Sequence, residues 1–166
     1  MTSESKLSAE LYAKVIDSMP CGFIVANNKG EFIVWNEAAY KLFKKELITS
    51  VQDNWVEDWG IFHTDKITKY NTEEIPMSRA LRGETVNNAK MYICVEGREG
   101  MYLRVSAYPV YKSNSEIEAA IVMIENITEE QKLYDEVIST INQMAGYLKG
   151  VKEDHITPVI DMQAII

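Results

Sequence analysis

The chain has 166 residues, of which 46% are hydrophobic, and it carries a formal net charge of −8 with a pI near 4.8. This length is enough for one domain with flanking helices, and the apolar content is enough for a packed core. The acidity argues against nucleic acids and anionic membrane surfaces as partners, because both select clustered Lys and Arg.

The two cysteines, Cys21 and Cys94, are too few for a disulfide framework and fit no metal-ligand spacing. The N-terminal sequence MTSESKLSAE lacks the basic and then apolar regions of a signal peptide. No apolar run approaches the roughly 20 residues of a membrane helix. We therefore expect a cytoplasmic chain with reduced thiols and no metal.

The first third of the chain predicts a helix, a hairpin and a second helix. Apolar residues recur every four positions within residues 5–19, which predicts an amphipathic helix that Pro20 ends. Residues 22–27 and 31–36 predict two strands, joined by the turn sequence Asn28-Lys29-Gly30. Residues 37–43 predict a short helix that Asn36 caps.

The middle of the chain predicts short helical turns and a loop over residues 44–72, and then a helix from Thr72 to Gly83. Three alternating strands follow, at residues 88–96, 101–111 and 117–127. The centre of the last strand, AAIVMI, is apolar on both faces, so both faces need cover. Helices would cover one face, and the N-terminal helix or a second subunit would cover the other.

The last helical segment has the apolar spacing of a coiled coil. Steps of three and four separate its apolar residues, which are Tyr134, Val137, Ile141, Met144, Leu148 and Val151. The repeat is short, and Gly146 and Gly150 weaken it. We expect a dimeric coiled coil, and the alternative is one amphipathic helix packed on its own domain.

Three motifs in this order resemble the PAS sensor domains of bacterial signalling proteins. Residues 125–130 (ENITEE) resemble the Asp-Ile-Thr signature before the signalling helix, with Asn126 where the family usually has Asp. Residues 76–84 (PMSRALRGE) and 35–39 (WNEAA) resemble a helix with its turn and a hairpin end of the same family. The resemblance covers about residues 10–130.

This resemblance implies an α/β (α+β) PAS fold, with a five-stranded antiparallel sheet and short helices on one side. It divides the chain into an N-terminal flanking helix (1–20), the PAS domain (21–128), a signalling helix or coiled coil (129–152) and a tail (153–166). In the tail, the sequence Ile156-Thr157-Pro158-Val159-Ile160 weakly resembles the first strand of a STAS domain. This resemblance leads us to expect a fragment of a longer regulator with a truncated output domain, and the alternative is a disordered or strand-like tail.

The resemblance also implies a pocket between sheet and helices. The candidate pocket residues are Tyr40, Phe43, Trp55 and Trp59, since ligand pockets are mostly apolar. The alternative for these aromatic residues is plain core. Tyr102 and Arg104 lie opposite the apolar stripe of their strand, and alternation alone leaves open which side faces the pocket.

The residues do not favour haem or flavin as a cofactor. Haem needs an axial ligand, usually His, and the predicted pocket helix near residues 73–82 has none. His63 falls in a predicted loop, and neither cysteine lies in a flavin-reactive motif. We therefore expect no cofactor.

The predicted function is a non-enzymatic sensor and relay module. The resemblance assigns Asn126, Ile127 and Thr128 to signal relay between the domain and its exit helix. The expected partners are a second copy of the chain, an output domain or signalling partner, and a small-molecule ligand. Two alternatives stay open, a truncated sensor histidine kinase and a pure dimerisation module without a ligand. For the kinase, the spacing of His155 and Pro158 differs from the phospho-acceptor motif.

Overall fold

The structure is a computed structural model that describes residues 3–43, 54–94 and 97–154. Its helices are α1 (Ser3–Asp17), α2 (Glu37–Phe43), α3 (Trp55–Trp59), α4 (Pro76–Ala80) and α5 (Thr128–Asp154). Its strands are β1 (Gly22–Asn27), β2 (Phe32–Trp35), β3 (Ile61–Phe62), β4 (Val86–Ile93), β5 (Met101–Tyr111) and β6 (Ile117–Asn126). The chain divides into two compact units, Met1–Thr128 and Glu129–Ile166. The predicted tail lies outside the described residues from position 155 onward.

The strands form one antiparallel sheet of six strands in the order β2-β1-β6-β5-β4-β3. The predicted mixed fold with an antiparallel sheet and short helices is confirmed, but the sheet has six strands and not five. The additional strand is β3, in which Ile61 pairs with Ile93 and Phe62 pairs with Tyr92.

Gly60 explains why this extra strand forms. It ends α3 with a left-handed φ of 56°, and its carbonyl accepts a hydrogen bond of 2.9 Å from the Cys94 N–H. A Cβ atom at this position would lie 2.2 Å from the Cys94 carbonyl oxygen. Only glycine allows the close approach. The chain therefore turns from α3 directly into an edge strand, within a segment whose sequence shows no strand alternation.

The predicted hairpin between β1 and β2 is confirmed. Gly30 has a φ of 76°, and the Asn27 N–H donates to the Glu31 carbonyl at 2.9 Å. The Asn27 side-chain oxygen also accepts from the N–H groups of Lys29 and Glu31, at 2.9 and 3.0 Å. An Asn side chain and a glycine with positive φ thus build the turn together.

The predicted helix over residues 72–83 was wrong in extent, because α4 covers only Pro76–Ala80. Ile75 is extended, with φ −64° and ψ 145°, and Pro76 occupies the first turn of the helix. The residue before a proline is disfavoured in the helical region, so the helix begins at the proline and not before it.

The core lies under one face of the sheet, where α2, α3 and α4 contact the strands. Within β6, Ala120, Val122 and Ile124 are buried, while Ile121 and Met123 on the other face are half-buried. The strand that the sequence predicted to be apolar on both faces is therefore more deeply covered on one face than on the other.

β4 carries a bulge near its start. The register with β5 shifts between Val86 and Ala89, and Asn88 has a φ of 54°. The Asn88 N–H donates to the Ser106 hydroxyl at 3.1 Å instead of to a backbone carbonyl. Asn accepts positive φ more readily than most residues, so it suits this position.

Asn36, which is 1% exposed, joins four segments through its side-chain amide. Its oxygen accepts from the N–H groups of Phe23 in β1 and Ala39 in α2, at 2.8 and 2.9 Å. Its NH₂ group donates to the carbonyls of Ile16 in α1 and Cys21, at 3.1 and 2.9 Å. The predicted cap of α2 is confirmed, and every hydrogen-bonding position of the amide is used.

We expect Asn36→Ala to lower the free energy of unfolding by at least about 2 kcal/mol, because it leaves several buried backbone groups without partners. Chemical denaturation followed by circular dichroism measures the change. The control is Asn28→Ala, at an exposed position in the adjacent hairpin, which should change stability by less than about 0.5 kcal/mol. Equal losses in the two variants would contradict the assigned role of Asn36.

Candidate functional site

A cavity of about 80 Å³ lies between the sheet and the short helices. Every lining residue is apolar. The aromatic members are Phe32, Trp35, Phe43, Trp55 and Trp59. The other members are Ile24, Ile61, Ile75, Pro76, Met77, Met91, Ile93, Leu103, Val105, Val122 and Ile124.

The aromatic residues form a connected wall. The Phe32 ring stacks on Trp55 with centroids 5.2 Å apart and meets Trp35 edge-on at 5.4 Å. Trp35 stacks on Trp59 at 5.4 Å, and Phe43 meets Trp59 edge-on at 4.8 Å. Offset-stacked and edge-to-face contacts of this kind hold the rings in defined positions. The five rings therefore form a surface of defined shape.

Two indole N–H groups of this wall are buried without an acceptor. They belong to Trp35 and Trp55, and within the described part of the chain no protein atom accepts from either Nε1. Trp55 is 2% exposed. Indole is a donor only, and most buried polar atoms in proteins have a partner. These two buried N–H groups are therefore exceptions to that rule within the core.

Three of the four candidate pocket residues, Phe43, Trp55 and Trp59, line this cavity. They are also core residues, at 3%, 2% and 5% exposure. The fourth, Tyr40, is 50% exposed and is not among the lining residues.

The sequence analysis missed Phe32 and Trp35 as lining residues. Ala26 pairs with Phe32 and Ile24 pairs with Trp35, so both aromatic side chains share the inner face with these core residues. They are three positions apart, because the register shifts near Ile33. Strand alternation would place Phe32 and Trp35 on opposite faces. Only the bulge brings them together, and a strand pattern does not reveal it.

Tyr102 and Arg104 face away from the cavity, since their neighbours Leu103 and Val105 line it. Arg104 forms an ion pair of 2.9 Å with Glu125. The Tyr102 ring meets Tyr92 at 5.1 Å, and the Lys66 Nζ atom lies 5.0 Å from its centroid. The inner face of β5 therefore carries Leu103 and Val105, and the outer face carries Tyr102 and Arg104.

His63 lies beyond β3 and does not line the cavity. Its ring stacks on Tyr70 with centroids 3.9 Å apart and an interplanar angle of 13°. Burial, with a smaller effect of the Glu74 carboxylate, raises the pKa of the Tyr70 phenol, so that this phenol stays neutral at physiological pH. Among the described residues no cluster of His, Cys, Asp and Glu is suited to hold a metal ion.

The three residues assigned to signal relay are joined to Tyr102 at the start of β5. The Ile127 N–H donates to the Tyr102 carbonyl at 2.9 Å, and the Tyr102 N–H donates to the Thr128 hydroxyl at 3.0 Å. That hydroxyl donates in turn to the Asn126 side-chain oxygen at 2.6 Å. The Thr128 hydroxyl thus connects the start of β5 to the end of β6.

No helix of the described residues is long and apolar enough to cross a membrane. The first turn of α5 contains the acidic residues Glu129 and Glu130. Negative charge at this end suits the helix dipole.

Comparison with known proteins places this fold. The sequence model of the PAS domain family matches residues 10–76. A PAS domain from Colwellia psychrerythraea is 16% identical with a TM-score of 0.52, and the match covers 74% of this chain and 98% of that one. The PAS domain of nitrogen regulation protein NR(II) from Vibrio parahaemolyticus is 14% identical with a TM-score of 0.51, covering 70% and 98%. The PAS domain of an HTR-like protein from Haloarcula marismortui is 10% identical with a TM-score of 0.53, covering 75% and 95%. No curated protein matches the chain.

The family match begins within α1 and ends at Pro76, and the six-stranded sheet with the cavity beneath it completes the same fold. The order of elements, the sequence match and the structural matches agree with one another. The chain has the PAS fold, and its residues 10–76 match the sequence model of the PAS domain family.

Proposed function

We propose that this chain is a non-enzymatic sensor and relay module of bacterial signal transduction, which binds a small molecule and passes the signal through α5. The apolar cavity carries this proposal. Relatives of the fold include a nitrogen regulation protein, a two-component sensor histidine kinase and a diguanylate cyclase with a PAS/PAC sensor. In the same way, this chain would report to an output domain or signalling partner.

The ligand-binding half of the proposal rests on the cavity lining. Apolar concave sites with a few polar groups are the usual form of small-molecule sites. This cavity has an aromatic wall and the side chains of Met77 and Met91. Methionine adapts to ligand shape at low cost. The position of His63 and the absence of a flavin-reactive cysteine motif favour a ligand other than haem or flavin.

The relay half rests on β5, which touches both the cavity and the junction. Leu103 is 0% exposed and lines the cavity. The preceding residue, Tyr102, bonds to Ile127 and Thr128 through its backbone. A ligand that binds more tightly when the Leu103 side chain is in one of two positions would favour that position. It would then also shift the equilibrium between two positions of the junction at residues 126–128. The start of α5 would then follow the state of the cavity.

The third part of the proposal is a homodimer that forms through the α5 helices. Tyr134, Val137, Ile141 and Met144 follow a coiled-coil repeat on α5, and all four are more than half exposed. Soluble proteins seldom leave such an apolar stripe uncovered. Since the repeat is self-complementary, a second copy of the same helix is the partner that fits.

We expect the purified chain to be colourless and to retain a small molecule that native mass spectrometry detects as added mass. The control is Val122→Phe, whose larger side chain fills the cavity and should remove the added mass. Ligand binding would be contradicted if the wild-type chain carried no added mass and no compound in a small-molecule library raised its melting temperature. A haem or flavin absorption spectrum would contradict the expected ligand class.

We expect Thr128→Ala to speed amide hydrogen exchange at Tyr102 and across residues 133–151, because it removes the acceptor of the Tyr102 N–H. Loss of this one bond should cost about 1 kcal/mol of local stability. The matched control is Thr140→Ala, which makes the same change inside α5. Equal protection in wild type and both variants would show that the junction is a passive linker.

We expect Ile141→Asp to weaken dimerisation by at least about tenfold, because it places a charge in an apolar seam. Analytical ultracentrifugation over a concentration series measures the dissociation constant. The control is Asn142→Asp, which adds the same charge at the next, exposed position outside the repeat. A wild-type chain that sediments only as a monomer would contradict the dimer itself.

A further inference from the structure

Tyr102 has a second set of contacts on the outer face of the sheet, which is the face opposite the cavity. We propose that Lys66, in the loop of residues 63–68 that follows β3, is a positioning residue for the junction. Its ammonium group lies over the rings of Tyr92 and Tyr102, and through Tyr102 it holds the backbone bonds at residues 126–128 in place. This contact gives the proposed relay an input from the outer face, and it does not require a ligand in the cavity.

Tyr92 and Tyr102 form an aromatic pair across β4 and β5. The two residues are directly opposite in the register, and their ring centroids are 5.1 Å apart at an interplanar angle of 65°. Their neighbours Met91 and Leu103 line the cavity, so both rings lie on the outer face. A Cβ atom at position 100 would lie 2.0 Å from the Tyr92 phenol oxygen, and the glycine there leaves room for the ring. The pair therefore belongs to the packing of the sheet surface.

The Lys66 ammonium group bridges this pair. Its Nζ atom lies 5.2 Å from the Tyr92 centroid and 5.0 Å from the Tyr102 centroid, within the roughly 6 Å over which a cation is attracted to an aromatic face. Lys66 also has a φ of 64°, which is uncommon for a residue other than glycine. A backbone in such a conformation persists where the surrounding contacts hold it. The ring contacts are one such set, and they join the loop to two strands.

Asp65 supplies other contacts that hold the loop. One of its carboxylate oxygens accepts from the N–H groups of Ile67 and Thr68, both at 2.9 Å, and the other accepts from the Thr68 hydroxyl at 2.6 Å. The His63 N–H closes the loop with a bond of 2.8 Å to the Thr68 carbonyl. The Thr68 hydroxyl, and then the two backbone bonds, lower the pKa of Asp65 to about 2. This carboxylate therefore stays ionised at physiological pH, and the turn that presents Lys66 persists with it.

The backbone of Tyr102 connects these contacts to the junction. Its N–H donates to the Thr128 hydroxyl at 3.0 Å, and its carbonyl accepts from the Ile127 N–H at 2.9 Å. A ring held on the outer face restricts the motion of the backbone that carries it, so the Lys66 contact stabilises both bonds. Since Leu103 lines the cavity, adjacent residues of β5 connect the two faces of the sheet to the same junction.

Lys66→Met tests this role, because methionine keeps a long unbranched side chain and removes the ammonium group. In the ¹⁵N-labelled full chain, we expect amide hydrogen exchange at Tyr102 and Ile127 to become about twofold to fivefold faster. Lys66→Arg keeps a cation over the rings and should exchange as the wild type does. The matched control is Lys69→Met, which removes a lysine just beyond the same loop whose Nζ atom pairs with Glu57 at 2.7 Å. Exchange at the two amides should stay unchanged in this control.

Tyr92→Leu shows whether Lys66 acts through the rings. In that background, Lys66→Met should speed exchange less than it does in the wild-type chain, since one of the two rings is already gone. Unchanged exchange at the two junction amides in Lys66→Met would overturn the inference, and so would an equal increase in Lys69→Met. An equal increase at the Val122 amide, in the centre of β6, would also overturn it, because the loss of protection would then be global. None of these outcomes depends on a ligand, so each tests the inference separately from the ligand-binding function.

Discussion

The side-chain amide of Asn36 is the contact on which the N-terminal half of the domain depends. It lies where β2 ends and α2 begins, and it holds the C-terminal end of α1 and the start of β1 at the same point. A buried amide with all its bonds made specifies one arrangement, because any displacement leaves a polar group unpaired. Its neighbour in the chain, Trp35, lines the cavity. The orientation of the aromatic wall and the position of α1 are therefore set by adjacent residues.

In the C-terminal half of the domain, β5 likewise contacts both the cavity and a second segment, the junction at residues 126–128. Its inward side chains, Leu103 and Val105, line the cavity, while its outward Arg104 pairs with Glu125 of β6 and its first backbone groups bond to the junction. Within the domain, Asn36 thus adjoins α1 and, through its neighbour Trp35, the cavity, while β5 adjoins both the cavity and the junction.

Much of the fold follows from patterns that involve only neighbouring residues. The hairpin at Asn28-Lys29-Gly30, the cap at Asn36 and the long strands are all local signals. The misses depend on distant contacts. β3 forms because Gly60 fits against Cys94, and Phe32 joins Trp35 in the cavity because the pairing with β1 shifts near Ile33. The unpaired indole N–H groups of Trp35 and Trp55 could not be predicted either, because only a folded core shows which donors lack acceptors.

The edges of the sheet bear on how copies of this chain meet. An edge strand with free backbone groups invites pairing with another sheet and hence aggregation. Here the long strands β5 and β6 are interior, and the edges are β2, with four residues, and β3, with two. Where β4 extends past the short β3, it carries a bulge at Asn88 and a lysine at position 90. These features disfavour strand-to-strand association and the growth of extended sheets under crowded conditions.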